Sequence, residues 1–277
     1  MCTKFNIFLV FLLLGLVVAG PLYAQTLNDV FTREDTLVYM GYKVTRSYDS
    51  KDNVWLATLK KEEKVLATFK RGGPLKEMTR FGLFPFLGKD TKQLIIEQYS
   101  GGAHCCWSYW IFNLLPNFEM IYDSQDYPVG YGLVPLDLDK DGVFEFTQEI
   151  LTFDYFDRLC HALSPLPVVV FKYDEKRGKY FPANQMFPQY VLNGIEEDIG
   201  RVRKLKEKIN FTTYNDSRGN YLSAVLEVVL RYIYAGKEKE GWLFYDEEYN
   251  LPDKERIKSK IKKKLKSCVI YREIYNR

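Results

Sequence analysis

Residues 36–182 carry no helical period, whereas the chain beyond Pro188 is dominated by one. This switch constrains the fold more than any other feature, because strands repeat every two residues and helices every 3.6. In the first region, short aromatic and β-branched runs are punctuated by Gly, Pro, Asp and Asn. Residues 54–70 read as a hairpin around the polar stretch 60–64. Further strands are expected at 94–96, 107–114, 118–122, 144–152 and 168–173. After the Pro182 and Pro188 boundary, Val191, Ile195, Ile199, Val202, Leu205 and Ile209 recur at helical spacing. A second helix is expected at 221–235, capped by Gly236. A third, 253–270, is organised around Ile257, Ile261, Leu265 and Cys268. Residues 209–219 read as a loop. A β-rich body (25–182) with a three-helix C-terminal region (183–277) follows, α+β overall.

The N-terminus reads as an export signal. Lys4 precedes an apolar run at 7–18, and Leu22-Tyr23-Ala24 offers cleavage before Gln25. The run is shorter than the roughly 20 residues a membrane span needs. The expectation is a signal peptide over 1–24 and an exported product, periplasmic or extracellular, with no transmembrane segment after processing. Cys2 leaves with that segment. Cys105, Cys106, Cys160 and Cys268 remain, and in an oxidising compartment they are disulfide candidates. Adjacent cysteines on an extended segment point to opposite faces. A crossed arrangement is therefore expected, with one of Cys105 and Cys106 joined to Cys160 and the other to Cys268.

Residues 137–145, Asp-Leu-Asp-Lys-Asp-Gly-Val-Phe-Glu, carry the densest chemistry. Carboxylates at Asp137, Asp139, Asp141 and Glu145 surround a bend at Gly142. Hard cations such as Ca²⁺ take six to eight oxygens at about 2.3–2.6 Å. Alternating Asp residues, the Val143 carbonyl and Glu145 could supply them. Like charges this close repel unless something neutralises them, so a structural Ca²⁺ is expected. Gln148 stands where a helix-flanked calcium loop has its bidentate Glu, and the flanks read as strands, which disfavours an EF-hand.

A weak repeat spans this loop. Leu87-Gly88-Lys89-Asp90-Thr91-Lys92-Gln93-Leu94-Ile95 leads to Cys105-Cys106 and strands ending at Tyr122. Leu138-Asp139-Lys140-Asp141-Gly142-Val143-Phe144-Glu145-Phe146 leads to Cys160 and a strand ending at Tyr173. The period of roughly fifty residues is that of a propeller blade. The acidic loop and its following strand resemble the calcium loops of FG-GAP and VCBS-type β-propeller repeats. The string Ser100-Gly101-Gly102-Ala103-His104-Cys105-Cys106 resembles a turn in exported bacterial proteins that carry such loops. The resemblance covers 36–182 at most. It implies non-catalytic, blade-like antiparallel units in which the metal holds loops between strands. Two recognisable units cannot close a propeller, so a smaller assembly of two or three blade-like units is expected.

Both histidines adjoin cysteines: His104-Cys105-Cys106 and Cys160-His161. Thiolate and imidazole together suit Zn²⁺ or copper. The alternative reading is therefore a metal or redox protein using His104, Cys105, Cys106, Cys160 and His161. No catalytic motif is present. Glu149, Asp154 and Asp157 could serve as a carboxylate pair only at a defined separation across a cleft. The lysine-rich helix 253–268 suits an anionic surface. The net charge of +3 and the export signal speak against a nucleic-acid partner. The functional expectation is an exported, non-catalytic, calcium-stabilised binding or scaffold protein of the cell envelope, whose partner is a protein or an envelope polymer.

Overall fold

The computed structural model describes residues 27–88, 90–102, 106–209 and 216–276. Residues 1–26, which contain the expected signal peptide, and Lys89, His104, Cys105 and most of the expected 209–219 loop lie outside the described residues. The strands form three four-stranded antiparallel sheets, each a meander in sequence order. The first comprises β1 (Thr36–Tyr39), β2 (Tyr42–Asp49), β3 (Val54–Lys61) and β4 (Lys64–Phe69). The second comprises β5 (Thr79–Phe84), β6 (Gln93–Tyr99), β7 (Trp107–Asn113) and β8 (Glu119–Asp123). The third comprises β9 (Val134–Leu136), β10 (Glu145–Glu149), β11 (Val168–Asp174) and β12 (Lys179–Pro182). The blade-like β body with a C-terminal helical region is thus the observed fold. The repeat read from 87–122 and 138–173 is carried by the second and third sheets.

The second sheet is the middle layer. Leu94 and Ile96 on β6, with Trp110 and Phe112 on β7, meet Val44, Ala57, Leu59 and Phe69 of the first sheet. The intervening residues Ile95, Tyr109 and Ile111 face the opposite way, into a core shared with Phe146, Val169 and Phe171 of the third sheet. A strand buried on both faces needs near-continuous apolar character, which is why 94–96 reads as an unbroken run. The helices enter the same core. Val225, Leu226, Val228, Val229 and Ile233 are fully buried within it.

The helical region is more divided than expected. α1 (Pro188–Val191) and α2 (Ile195–Lys206) are separated at Gly194, whose φ of +78° no ordinary helical residue adopts. α3 (Asp216–Tyr234) begins inside the expected 209–219 loop and takes in Gly219. α4 (Glu238–Glu248) was not legible, because Trp242, Phe244 and Tyr245 sit among acids without a clear apolar stripe. A Cβ on its Gly241 would stand 2.9 Å from the Val229 carbonyl oxygen, so glycine permits the close α3–α4 approach. α5 (Lys254–Ser267) and α6 (Val269–Tyr275) divide at Cys268, whose backbone is extended.

Candidate functional site

The acidic loop connects β9 to β10, which pair at Leu136 and Glu145. Lys140 (φ +63°) and Gly142 (φ +84°) turn the chain through left-handed conformations. Asp141 Oδ1 accepts the Val143 N–H at 2.7 Å, a local bond that shapes the turn. Carboxylate oxygens of Asp137, Asp139 and Glu145 converge within 4.8 Å of one another. Asp141, expected as a ligand, is not part of that carboxylate convergence. Glu145 is fully buried at the first position of β10, and its Oε2 accepts the Leu138 N–H at 2.9 Å. Asp137 Oδ1 is buried without a hydrogen-bond partner.

A residue not foreseen for this site completes it. Lys172 lies on β11, across from Glu145 and one step beyond the Phe146–Phe171 pair. Its Nζ donates to Asp139 Oδ2 at 2.7 Å and to Glu145 Oε1 at 2.7 Å, and lies 3.5 Å from Asp141 Oδ2. Burial pushes the Glu145 carboxyl above its ordinary pKa, and the hydrogen bonds from Lys172 and Leu138 only partly offset it. At Asp139 burial acts in the same direction, but the Lys172 ammonium outweighs it and holds the carboxyl below its usual range. Burial works to lower the Lys172 pKa. Its bonds to Asp139 and Glu145 prevail and keep it well above the usual lysine value. The all-oxygen donor set and the orphaned Asp137 oxygen fit a hard divalent cation, while the ammonium already supplies one positive charge to the same acids.

The corresponding loop of the second sheet uses other chemistry at the same positions. Gln93, also fully buried, opens β6 as Glu145 opens β10. Its Oε1 accepts the Leu87 N–H at 3.0 Å, as Glu145 does for Leu138. Its amide nitrogen donates to Thr91 Oγ1 at 3.1 Å and to Asn113 Oδ1 at 3.5 Å. Asn113 stands one step beyond the Leu94–Phe112 pair, the place Lys172 takes in the third sheet. The loops touch each other. Phe144 N–H donates to the Phe86 carbonyl at 2.8 Å, and the Phe84 and Phe144 rings meet edge-on at 5.0 Å.

The cysteines depart from expectation. Cys106 is disulfide-bonded, while Cys160 and Cys268 are both free thiols. The crossed pairing is overturned, since neither Cys160 nor Cys268 is the partner of Cys106. Cys268 is buried at the α5–α6 junction, where its sulfur accepts hydrogen bonds from Thr152 Oγ1 (3.3 Å) and the Tyr234 hydroxyl (3.4 Å). Cys160 is exposed.

The His104, Cys105, Cys106, Cys160 and His161 ligand set does not assemble among the described residues. Cys106 has no thiolate to offer, and both His161 nitrogens are engaged. Nδ1 lies 2.8 Å from Asp154 Oδ1, and Nε2 lies 2.7 Å from the Tyr131 hydroxyl. This chain of three side chains ties the 151–164 connection to the segment before β9. His104 and Cys105 themselves lie outside the described residues.

The remaining acids have separate roles. Asp157 is paired with Arg256 and Lys260, each at 2.5 Å. The Arg256 hydrogen bond leads, against the opposing effect of burial, in lowering its carboxyl to about 2. Glu149 is half-buried at the end of β10, and burial raises its pKa. Gln148 accepts the Tyr122 hydroxyl and donates to the Tyr131 carbonyl at 2.9 Å, a core role rather than a ligand's. No described helix is long and apolar enough to cross a membrane. Comparison with protein-family models, with curated proteins and with solved structures found no match.

Proposed function

We propose that this chain is an exported, non-catalytic binding or scaffold protein of the cell envelope whose third sheet is stapled by a cation in the 137–145 loop. Ca²⁺ fits the role, with Asp137, Asp139 and Glu145 as its carboxylate ligands. The observation that carries this reading is the convergence of those oxygens on one point, with Asp137 Oδ1 buried and unpartnered. The three consecutive meanders support the likeness to FG-GAP and VCBS-type units, in which such loops have a structural role. Binding would add about 2.7 kcal/mol to stability at free calcium a hundredfold above Kd. A calcium titration of the melting temperature, on wild type and Asp139→Ala, tests it. Calcium should raise the wild-type value and leave the variant where it was. Coincident melting of the two in millimolar calcium removes the metal reading.

The position of Lys172 favours a second reading, in which the ammonium is the loop's resident cation and the staple needs no metal. The two readings part on one variant, Lys172→Met. If calcium is the partner, removing the ammonium enlarges the calcium response. If Lys172 acts alone, the variant is weakened and calcium restores nothing.

A further inference from the structure

We propose that the exposed C-terminal half of α5 is a docking surface for an anionic phospholipid bilayer. The proposal takes its setting from the envelope location above, but its test does not depend on that location or on the loop. α5 carries eight Lys or Arg against Glu255 alone, whereas the whole chain is only +3. The rest of the molecule is therefore net negative, and the positive charge is concentrated on one helix.

The basic residues divide into two groups. Toward the N-terminal end they are tied to the protein. Lys254 donates to the Asp246 carbonyl, Arg256 pairs with Asp157 and Asp253, Lys258 pairs with Asp246, and Lys260 pairs with Asp157. Lys262, Lys263, Lys264 and Lys266 are all exposed and form no ion pair among the described residues. Favourable placement of cations at a helix C-terminus accounts for charges in the last turn. It does not account for Lys262 and Lys263, which precede that turn.

The buried stripe of Ile257, Ile261 and Leu265 fixes one face of the helix, so at 3.6 residues per turn Lys262, Lys263 and Lys266 project together on the opposite face, while Lys264 flanks the stripe on the Asp157 side. Lys258, Lys262 and Lys266 follow one another at four-residue spacing over about 12 Å, beside Lys263. A small anion can meet one or two of these ammoniums, whereas an extended anionic plane can meet Lys262, Lys263 and Lys266 together. The neighbouring surface suits a bilayer. The Lys258 and Lys262 ammoniums sit 5.7 and 5.2 Å from the half-buried Trp242 ring, and Leu243 beside it is 59% exposed. An indole bordering lysines matches the headgroup–acyl boundary, where aromatic rings and basic side chains anchor together.

The test is sedimentation with vesicles of phosphatidylcholine alone, or with about one third phosphatidylglycerol, using the chain with and without residues 1–24. Basic side chains near an anionic bilayer contribute roughly a factor of five each. Changing Lys262, Lys263, Lys264 and Lys266 together to Gln should therefore lower partitioning about a hundredfold, most of it from the three that share a face. A variant with the same charge change at the exposed Lys43, Lys51, Lys64 and Lys176 should stay within about twofold of wild type. A thermal melt of each variant confirms that it is folded. Four results overturn the proposal: no sedimentation of wild type with anionic vesicles, equal sedimentation with neutral ones, equal loss in both variants, or binding of soluble polyphosphate through these lysines without vesicle binding.

Discussion

The loops at 87–93 and 138–145 occupy the same place in consecutive meanders and solve the same problem differently. Each must satisfy the amide of a leucine, Leu87 or Leu138, beneath a fully buried first strand residue. In the second sheet that residue is Gln93, and its own NH₂ group reaches Thr91 and Asn113. A neutral amide brings its donor with it, so the loop needs no ion. In the third sheet the residue is Glu145, which offers only acceptors and carries a charge. It is stable there because Lys172 arrives on the adjacent strand. A buried carboxylate is tolerated when paired and strongly unfavourable when alone. One substitution in the repeat, amide to acid, is thus met by a second across the strand, where Lys172 stands in place of Asn113 and supplies the positive charge the acid needs.

The largest break in this comparison is Lys172→Met. It leaves Glu145 buried beside Asp137 and Asp139 with no counter-charge, and in chelator the variant should lose about 3–4 kcal/mol. Denaturant unfolding measures the loss. Next is Gln93→Glu, which imposes the third sheet's acid on a loop without its lysine. It should cost about 2–3 kcal/mol, and Asn113→Lys in the same chain should recover about half of that, as a double-mutant cycle would show. An unchanged Gln93→Glu variant would mean that the two loops do not share one constraint.

Replacing both partners, Glu145→Gln with Lys172→Asn, copies the neutral staple and should come within about 1 kcal/mol of wild type, since deleting a whole buried pair is far milder than orphaning one member. The smallest effect is on pH. Asp139 has a lowered pKa in the folded state, so its contribution is present above the unfolded value and is lost as pH falls through the folded one. Glu145 runs the other way, because its raised pKa makes its ionised form unfavourable above that value. In Glu145→Gln the Asp139 limb remains from this pair, on top of the acid-side loss that Asp157 contributes in every variant. The acid-side loss from Asp139 should be below about 1 kcal/mol, because Asp139 is partly solvent-screened, and Lys172→Asn should flatten it.

Much of this was legible in sequence. Alternating strands, the turn-rich punctuation and the fifty-residue spacing carried the blade-like sheets. The Asp-x-Asp-x-Asp-Gly spacing marked the loop. Lys172 escaped notice because its role comes from register, 27 positions away from Glu145 in sequence. Aligning the two repeat units strand by strand would have set it opposite Glu145, as Asn113 is set opposite Gln93. The disulfide expectation failed for a different reason. Cys268 continues the apolar stripe of Ile257, Ile261 and Leu265, and that periodicity already placed its sulfur inside the helical core. α4 was missed because its contacts, including the close approach at Gly241, are tertiary and leave little local pattern.

The most direct measurement is the melting temperature of Lys172→Met beside wild type, first in chelator and then in millimolar calcium. The account predicts that the variant melts about 10 °C lower in chelator, and that calcium recovers most of the difference by restoring positive charge to Asp137, Asp139 and Glu145. Equal melting of the two proteins in chelator, with no response of either to calcium, would contradict it: the acids of this loop would then need no cation at all.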